Sequence, residues 1–283
     1  MKFRILLITV MTVILWGYFP DFGPKWLPMI LPDSPVNLEE FNSEYDDYNS
    51  DTPERSQSMP FIFSSNRHSQ GGEFDFVYMP MNVYTDRRDG IVIVSTNLRW
   101  NVNYMTGHED LRQALDTVNG GFNEFGPRFI PVGRGFIRDP DYREFQHYLF
   151  LFASDKSGDL DIYLTHNLIN ESYMEPVGLQ IVNTGANEAY PTFPPDSSAM
   201  YFCSDRSGNY DILRVDFIDS LDFLSNITAG NPVPAEVVDI LSSDSDDKCP
   251  HIFKNLLIFT SNRPGGKGGF DLYYVGIPKV LAE

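Results

Sequence analysis

The sequence predicts an all-β fold, a β-propeller of four-stranded blades, from three observations. One hairpin pattern recurs four times. The middle copies are spaced by about 50 residues, from Asp161 to Asp211. Glycine and proline, 21 and 20 of the 283 residues, break the chain too often for a helical protein. Four blades are recognisable, and the irregular stretch between Tyr84 and Asn119 leaves room for a fifth.

The hairpin copies align without gaps over their first half. They read Phe63-Ser64-Ser65-Asn66-Arg67, Phe152-Ala153-Ser154-Asp155-Lys156, Phe202-Cys203-Ser204-Asp205-Arg206 and Phe259-Thr260-Ser261-Asn262-Arg263. Each passes through a glycine-containing turn into an apolar-Asp-apolar strand start at Asp75, Asp161, Asp211 or Asp271. Glycine suits the positive φ values of such turns, and Ser, Asn and Asp side chains bond the turn backbone. Pro53, Pro127, Pro191 and Pro250 precede or adjoin the hairpins and mark a first strand. Short apolar runs at Ile91 to Val94 and Leu179 to Val182 supply a fourth. Burial is the physical reason for repetition, because the column Phe63, Phe152, Phe202 and Phe259 is covered only when neighbouring sheets stack.

The first 23 residues carry Lys2 and Arg4 ahead of an apolar run from Ile5 to Tyr18, the pattern of a signal peptide or signal anchor. No small-x-small cleavage site follows, which favours an uncleaved or atypically cleaved signal with the domain exported to the periplasmic, outer side of the inner membrane. Residues 24–50 read as a linker that can also provide a closing strand, from Val36 to Tyr48, for the last blade. Residues 51–283 are the propeller. A helix is expected over His108 to Val118.

Composition narrows the function. A formal net charge of −18 repels nucleic acid and anionic lipid, so no nucleic-acid partner is expected, and membrane contact is confined to the N-terminal segment. The aspartates Asp75, Asp161, Asp211 and Asp271 recur with Arg67, Lys156, Arg206 and Arg263. Groups repeated in every blade do not converge on one site, so they read as turn caps that pair across the hairpin. Ser242 to Asp247, Ser-Ser-Asp-Ser-Asp-Asp, is oxygen-rich but lacks the glycine and distal glutamate of a calcium loop. The five histidines show no metal-ligand spacing, and no phosphate loop, nucleophile elbow or dinucleotide fingerprint is present. No cofactor and no catalytic residue is assigned. Cys203 and Cys249 leave both a disulfide and two buried thiols open. One unrepeated stretch, Arg134 to Tyr142, lengthens the second blade and is either a plain spacer or a binding loop carrying Arg134, Phe136, Arg138, Asp141 and Tyr142.

The Ser-Asp/Asn-Arg, Gly, aromatic-Asp-Ile/Leu-Tyr pattern resembles the TolB-like, WD-repeat-like propeller repeat of bacterial envelope proteins. The last copy, Ser261 to Tyr274, is similar to the form found in Bacteroidetes envelope proteins. The resemblance implies a propeller whose repeat motif is structural and which serves as a binding scaffold. The expected function is therefore a non-enzymatic exported scaffold in the cell envelope with a protein partner. The alternative is a propeller that binds or hydrolyses glycans, which requires two carboxylates about 5 to 10 Å apart at the axis.

Overall fold

A computed structural model describes residues 30–53, 58–86, 89–96, 109–136, 144–168, 172–193, 199–216, 234–238, 251–253 and 256–276. Four antiparallel four-stranded sheets form the four blades. The first contains β2 (Asp47–Asp51), β3 (Ser58–Ser65), β4 (Asp75–Thr85) and β5 (Val92–Ser95). The second contains β6 (Glu124–Phe136), β7 (Glu144–Ser154), β8 (Asp161–His166) and β9 (Val177–Gly178). The third contains β10 (Glu188–Thr192), β11 (Ala199–Ser204), β12 (Asp211–Asp216) and β13 (Glu236–Val237). The fourth joins the two ends of the chain: β14 (His251–Phe253), β15 (Leu256–Ser261) and β16 (Asp271–Gly276) are completed by β1 (Val36–Asn37). Val36 stands opposite Tyr274 in that last pairing, so the ring is fastened by a strand from the N-terminal part.

The repeated hairpins occupy the middle of each sheet in matched register. Ser65 faces Asp75, Ser154 faces Asp161, Ser204 faces Asp211 and Ser261 faces Asp271. In the two shorter turns Gly158 and Gly208 take the same φ of 114°, a region open to glycine.

Among the described residues, three apolar cores lie between blades. Phe61, Phe63 and Val77 of the first blade meet Leu256, Ile258 and Leu272 of the fourth, with Leu38 and Phe41 packed between them. Leu149, Leu151 and Ile162 of the second meet Met200, Phe202 and Leu213 of the third, over Leu179 and Val182. Between the first and second blades an amphipathic helix, α1 (Glu109–Val118), lays Leu111, Ala114, Leu115 and Val118 against Phe76, Phe150 and Phe152. Phe129 stacks on Phe150 there with ring centroids 4.0 Å apart. Burying one such ring contributes roughly 1.5 to 3 kcal/mol.

Several expectations change. The stretch from Tyr84 to Asn119 yields no fifth sheet among the described residues: it supplies the end of β4, β5 and α1. Leu179 to Val182 is a buried turn rather than a strand, and the fourth strand of its blade is β9, just before it. The side chains of Leu179, Ile181 and Val182 fill a core from a turn, where the apolar run alone suggested a sheet edge. Pro53 lies after β2, while Pro127 and Pro191 lie within β6 and β10 at breaks in their pairing. The aromatic column is not uniform, since Phe63, Phe152 and Phe202 are buried but Phe259 is only partly covered and faces the axial cavity.

Replacing Phe202 by alanine empties a wholly buried position in the core between the second and third blades. The expected loss is about 3 to 5 kcal/mol of unfolding free energy, read by urea denaturation. A midpoint unchanged from the parent chain would contradict the stacking of these sheets.

Candidate functional site

The end of the propeller that carries the hairpin turns is organised by a second repeat, spread over ten residues before each inner strand. Leu38-Glu39-Glu40-Phe41-Asn42 leads to Asp46-Asp47, Leu115-Asp116-Thr117-Val118-Asn119 to Asn123-Glu124, and Leu179-Gln180-Ile181-Val182-Asn183 to Asn187-Glu188. The asparagine of each frame works like one more strand residue. Asn42 accepts from the Leu272 amide at 2.8 Å and donates to its carbonyl at 2.8 Å. Asn119 does the same to Phe76 and Asn183 to Ile162, all at 2.9 Å.

Four residues further on, a second polar residue latches the first, second and third blades each to the one before it. Asn123 accepts from the Phe74 amide at 3.0 Å, Asn187 from Leu160 at 3.0 Å and Asp46 from Phe270 at 2.7 Å. The following amide completes the latch, with Glu124 donating to the Phe74 carbonyl, Glu188 to Leu160 and Asp47 to Phe270. Asn123 and Asn187 then bind Asp155 and Asp205 of their own hairpins through both backbone and side-chain nitrogen. In the first blade the chemistry is exchanged: Asn66 sits in the hairpin and accepts from the Asp46 amide at 2.9 Å.

Arg67 and Arg206 do not pair with the repeated aspartates, as the sequence leads one to expect, but with the buried acid that begins the inner strand. Arg67 Nη2 lies 2.6 Å from Asp47 Oδ1, and Arg206 Nη2 lies 3.0 Å from Glu188 Oε1. Each guanidinium also donates to a backbone carbonyl, Phe41 at 2.5 Å or Val182 at 2.9 Å, and its Nε donates to Ser65 or Ser204 Oγ at 3.0 Å. Each stands over its own repeat phenylalanine, 5.0 Å from the Phe63 centroid and 5.4 Å from Phe202. Arg263 repeats the serine contact at 3.1 Å and lies 4.9 Å from the Phe259 centroid. Register explains this pairing, because the inner strand passes beside the serine–arginine corner while the aspartate turns inward to its own loop. Ser157 and Ser207 donate through Oγ to Asp161 and Asp211, and the Lys267 amide donates to Asp271 at 2.6 Å. Burial pushes Asp75 and Asp161 above the ordinary carboxylate range.

The second blade departs from this scheme. Lysine replaces arginine, and Lys156 Nζ turns outward to the exposed Glu175 at 3.2 Å. Gly120 stands where Ser43 and Thr184 donate backbone and hydroxyl hydrogen bonds to Asp47 and Glu188. Glu124, only 2% exposed, is left with the Ser154 hydroxyl at 3.2 Å, and its Oε2 has no partner. Burial, with the negative charges of Asp75 and Asp155 nearby, pushes its carboxyl up to about 8.

A separate cavity of about 310 Å³ lies on the axis. The inner strands β2, β6 and β10 bulge into it at Asn49, Gly126 and Tyr190, each with positive φ and each at a shift in strand pairing. Gly126 is required by contact as well as by φ, since a Cβ there would come 2.9 Å from the Tyr190 Cα of the next blade. Arg128 spans three blades: Nη1 lies 3.1 Å from Asp51 Oδ1, and Nη2 reaches the Phe193 carbonyl at 3.5 Å. No carboxylate of the described residues lines this cavity.

Among the other sequence candidates, Arg134 and Phe136 lie on β6, whose pairing with β7 continues to Phe136 opposite Glu144; this part of the supposed loop is strand. Arg138, Asp141 and Tyr142 lie outside the described residues, as do residues 1–29, Cys249 and Ser242 to Asp247. Cys203 is a buried free thiol. Among the described residues no group of three or more His, Cys, Asp or Glu side chains is placed to hold a metal ion, and no helix is long and apolar enough to cross a membrane.

Glu124 gives a pH-dependent prediction. Its folded value, about 8, lies above the 4.5 of the unfolded chain, so the folded state retains a proton across that interval. The stability this proton confers is fully present below pH 4.5 and is lost as pH rises to about 8. Glu124→Gln should match the parent at pH 4.5 and exceed it at pH 8.5 by roughly 1 to 3 kcal/mol in urea melts. An equal difference at both pH values would mean that Glu124 does not titrate in this window.

No family model matches the chain, and no curated protein does. Eleven chains of solved structures match it. One is TolB from Acinetobacter baumannii, 17% identical with a TM-score of 0.35, the match covering 86% of this chain and 46% of that one. The chain thus spans about half the length of that structure, and its own four sheets are what define it as a propeller.

Proposed function

We propose that this chain is an exported, non-enzymatic propeller of the cell envelope that binds a protein at the mouth of its axial cavity. The lining of that cavity carries the reading. It presents Tyr190, Thr192, Leu257 and Phe259 beside Arg128, whose charge is already engaged by Asp51. Rigid aromatic and apolar groups with few free charges suit the core of a protein contact. Glycoside hydrolysis needs a facing pair of acids, and the described lining supplies none. Glycan binding keeps one supporting feature, the tyrosines Tyr48 and Tyr190 as stacking surfaces, but the Tyr48 ring is packed against Phe74, Phe125 and Phe270. The apolar run of the first 23 residues supports export, and the net charge of −18 favours a partner with a basic surface.

A photo-crosslinking residue at Thr192, on the cavity wall, tests this in intact cells, with exposed Val237 as the control position. The expected result is a discrete adduct from position 192 alone, containing an envelope protein. Equal labelling from both positions, together with saturable binding of the purified chain on a glycan array, would reverse the assignment.

A further inference from the structure

The second blade contains a place built for an arginine that the chain itself does not fill. In the first and third blades a guanidinium is enclosed by the inner-strand acid, the backbone carbonyl of Phe41 or Val182, the repeat serine and the repeat phenylalanine ring. The second blade keeps the matching groups: Glu124, the carbonyl position of Val118, Ser154 and Phe152. With Lys156 turned out to Glu175, these four residues line a cavity of about 170 Å³, together with Tyr163. Glu124 Oε2 is buried there without a partner.

We propose that this cavity binds a guanidinium group brought from outside the chain, as free arginine or as an arginine side chain of another protein. Its nitrogens would donate to Glu124 and to the Val118 carbonyl while its plane covers the Phe152 ring, the same set of contacts that Arg67 and Arg206 make. A planar fork with five donors meets these acceptors together; a lysine ammonium offers one point of charge and no face for the ring. Buried unpartnered polar atoms are rare in folded proteins, and a guanidinium satisfies this one. The rim is a solvent-exposed Lys156–Glu175 pair, which is worth little and yields readily. The net charge of −18 draws cations toward the surface. The site is apart from the axial cavity and stands whether or not that cavity has a partner.

Calorimetric titration of the full chain tests the site, using a blocked Gly-Arg-Gly peptide, free L-arginine and a blocked Gly-Lys-Gly peptide. Saturable binding of the arginine peptide is expected, at least tenfold tighter than the lysine peptide and weakened at least tenfold in Glu124→Gln. Lys156→Arg should remove the binding by filling the cavity from within, and should raise the melting temperature. Binding of the peptide without free arginine would identify a protein side chain as the occupant, and binding of both would identify the guanidinium itself. Equal binding of the arginine and lysine peptides, retained affinity in Lys156→Arg, or no saturable binding by either arginine probe would overturn the proposal.

Discussion

The ring depends on how each inner strand begins. In the first, second and third blades one residue at that point hydrogen-bonds the preceding blade, and the next carries a carboxylate buried beneath its own blade's hairpin. The pairs Asp47–Arg67 and Glu188–Arg206 join the second function to the first, since moving the acid would also move the amide that donates to Phe270 or Leu160. A buried ion pair is weak evidence for net stability, but removing one partner strands a charge. The gain is registry, because the pair fixes where an inner strand starts against its hairpin and so where the next sheet stacks. The apolar cores then supply the bulk of the favourable energy between sheets that are already aligned.

The second blade shows what the arrangement tolerates. Lys156 and Gly120 together remove the guanidinium and the hydroxyl that the acid has elsewhere, yet the strand starts in the same register, with Glu124 opposite Ser154 as Glu188 is opposite Ser204. The backbone latch to Phe74 survives, and α1 packs Leu111, Ala114, Leu115 and Val118 over the junction with the first blade. The acid compensates by holding its proton, and the space left over is the cavity proposed to take a guanidinium.

The hairpins were readable because their signal is compact: phenylalanine, serine, a basic residue, glycine and aspartate at nearly fixed spacing. The ten-residue frame was harder to see, since its chemistry is exchangeable. Asp46 faces Asn66 where Asn123 faces Asp155, so each column alone looks variable although the pair is constant. Local helix also disguises it, because Leu115 to Asn119 ends α1 whereas Leu179 to Asn183 is a turn. The partner of the hairpin arginine is hidden in the sequence because the acid it meets lies 18 to 20 residues earlier, at Glu188 and Asp47, while the repeated aspartate lies nearby. Glu124 carries no distinctive sequence signal for a related reason, since Lys156 reads as equivalent to arginine by charge and differs in geometry.

The central claim, that the frame and the hairpin act as one interchangeable latch, is tested most directly by exchanging Asn123 and Asp155 and measuring unfolding free energies for a double-mutant cycle. Asn123→Asp alone sets two carboxylates against each other, and Asp155→Asn alone sets two amides together. The double variant reproduces the arrangement of Asp46 and Asn66, so it should recover most of the loss, with a coupling of about 1 to 3 kcal/mol. Additive losses in the double variant would contradict the account.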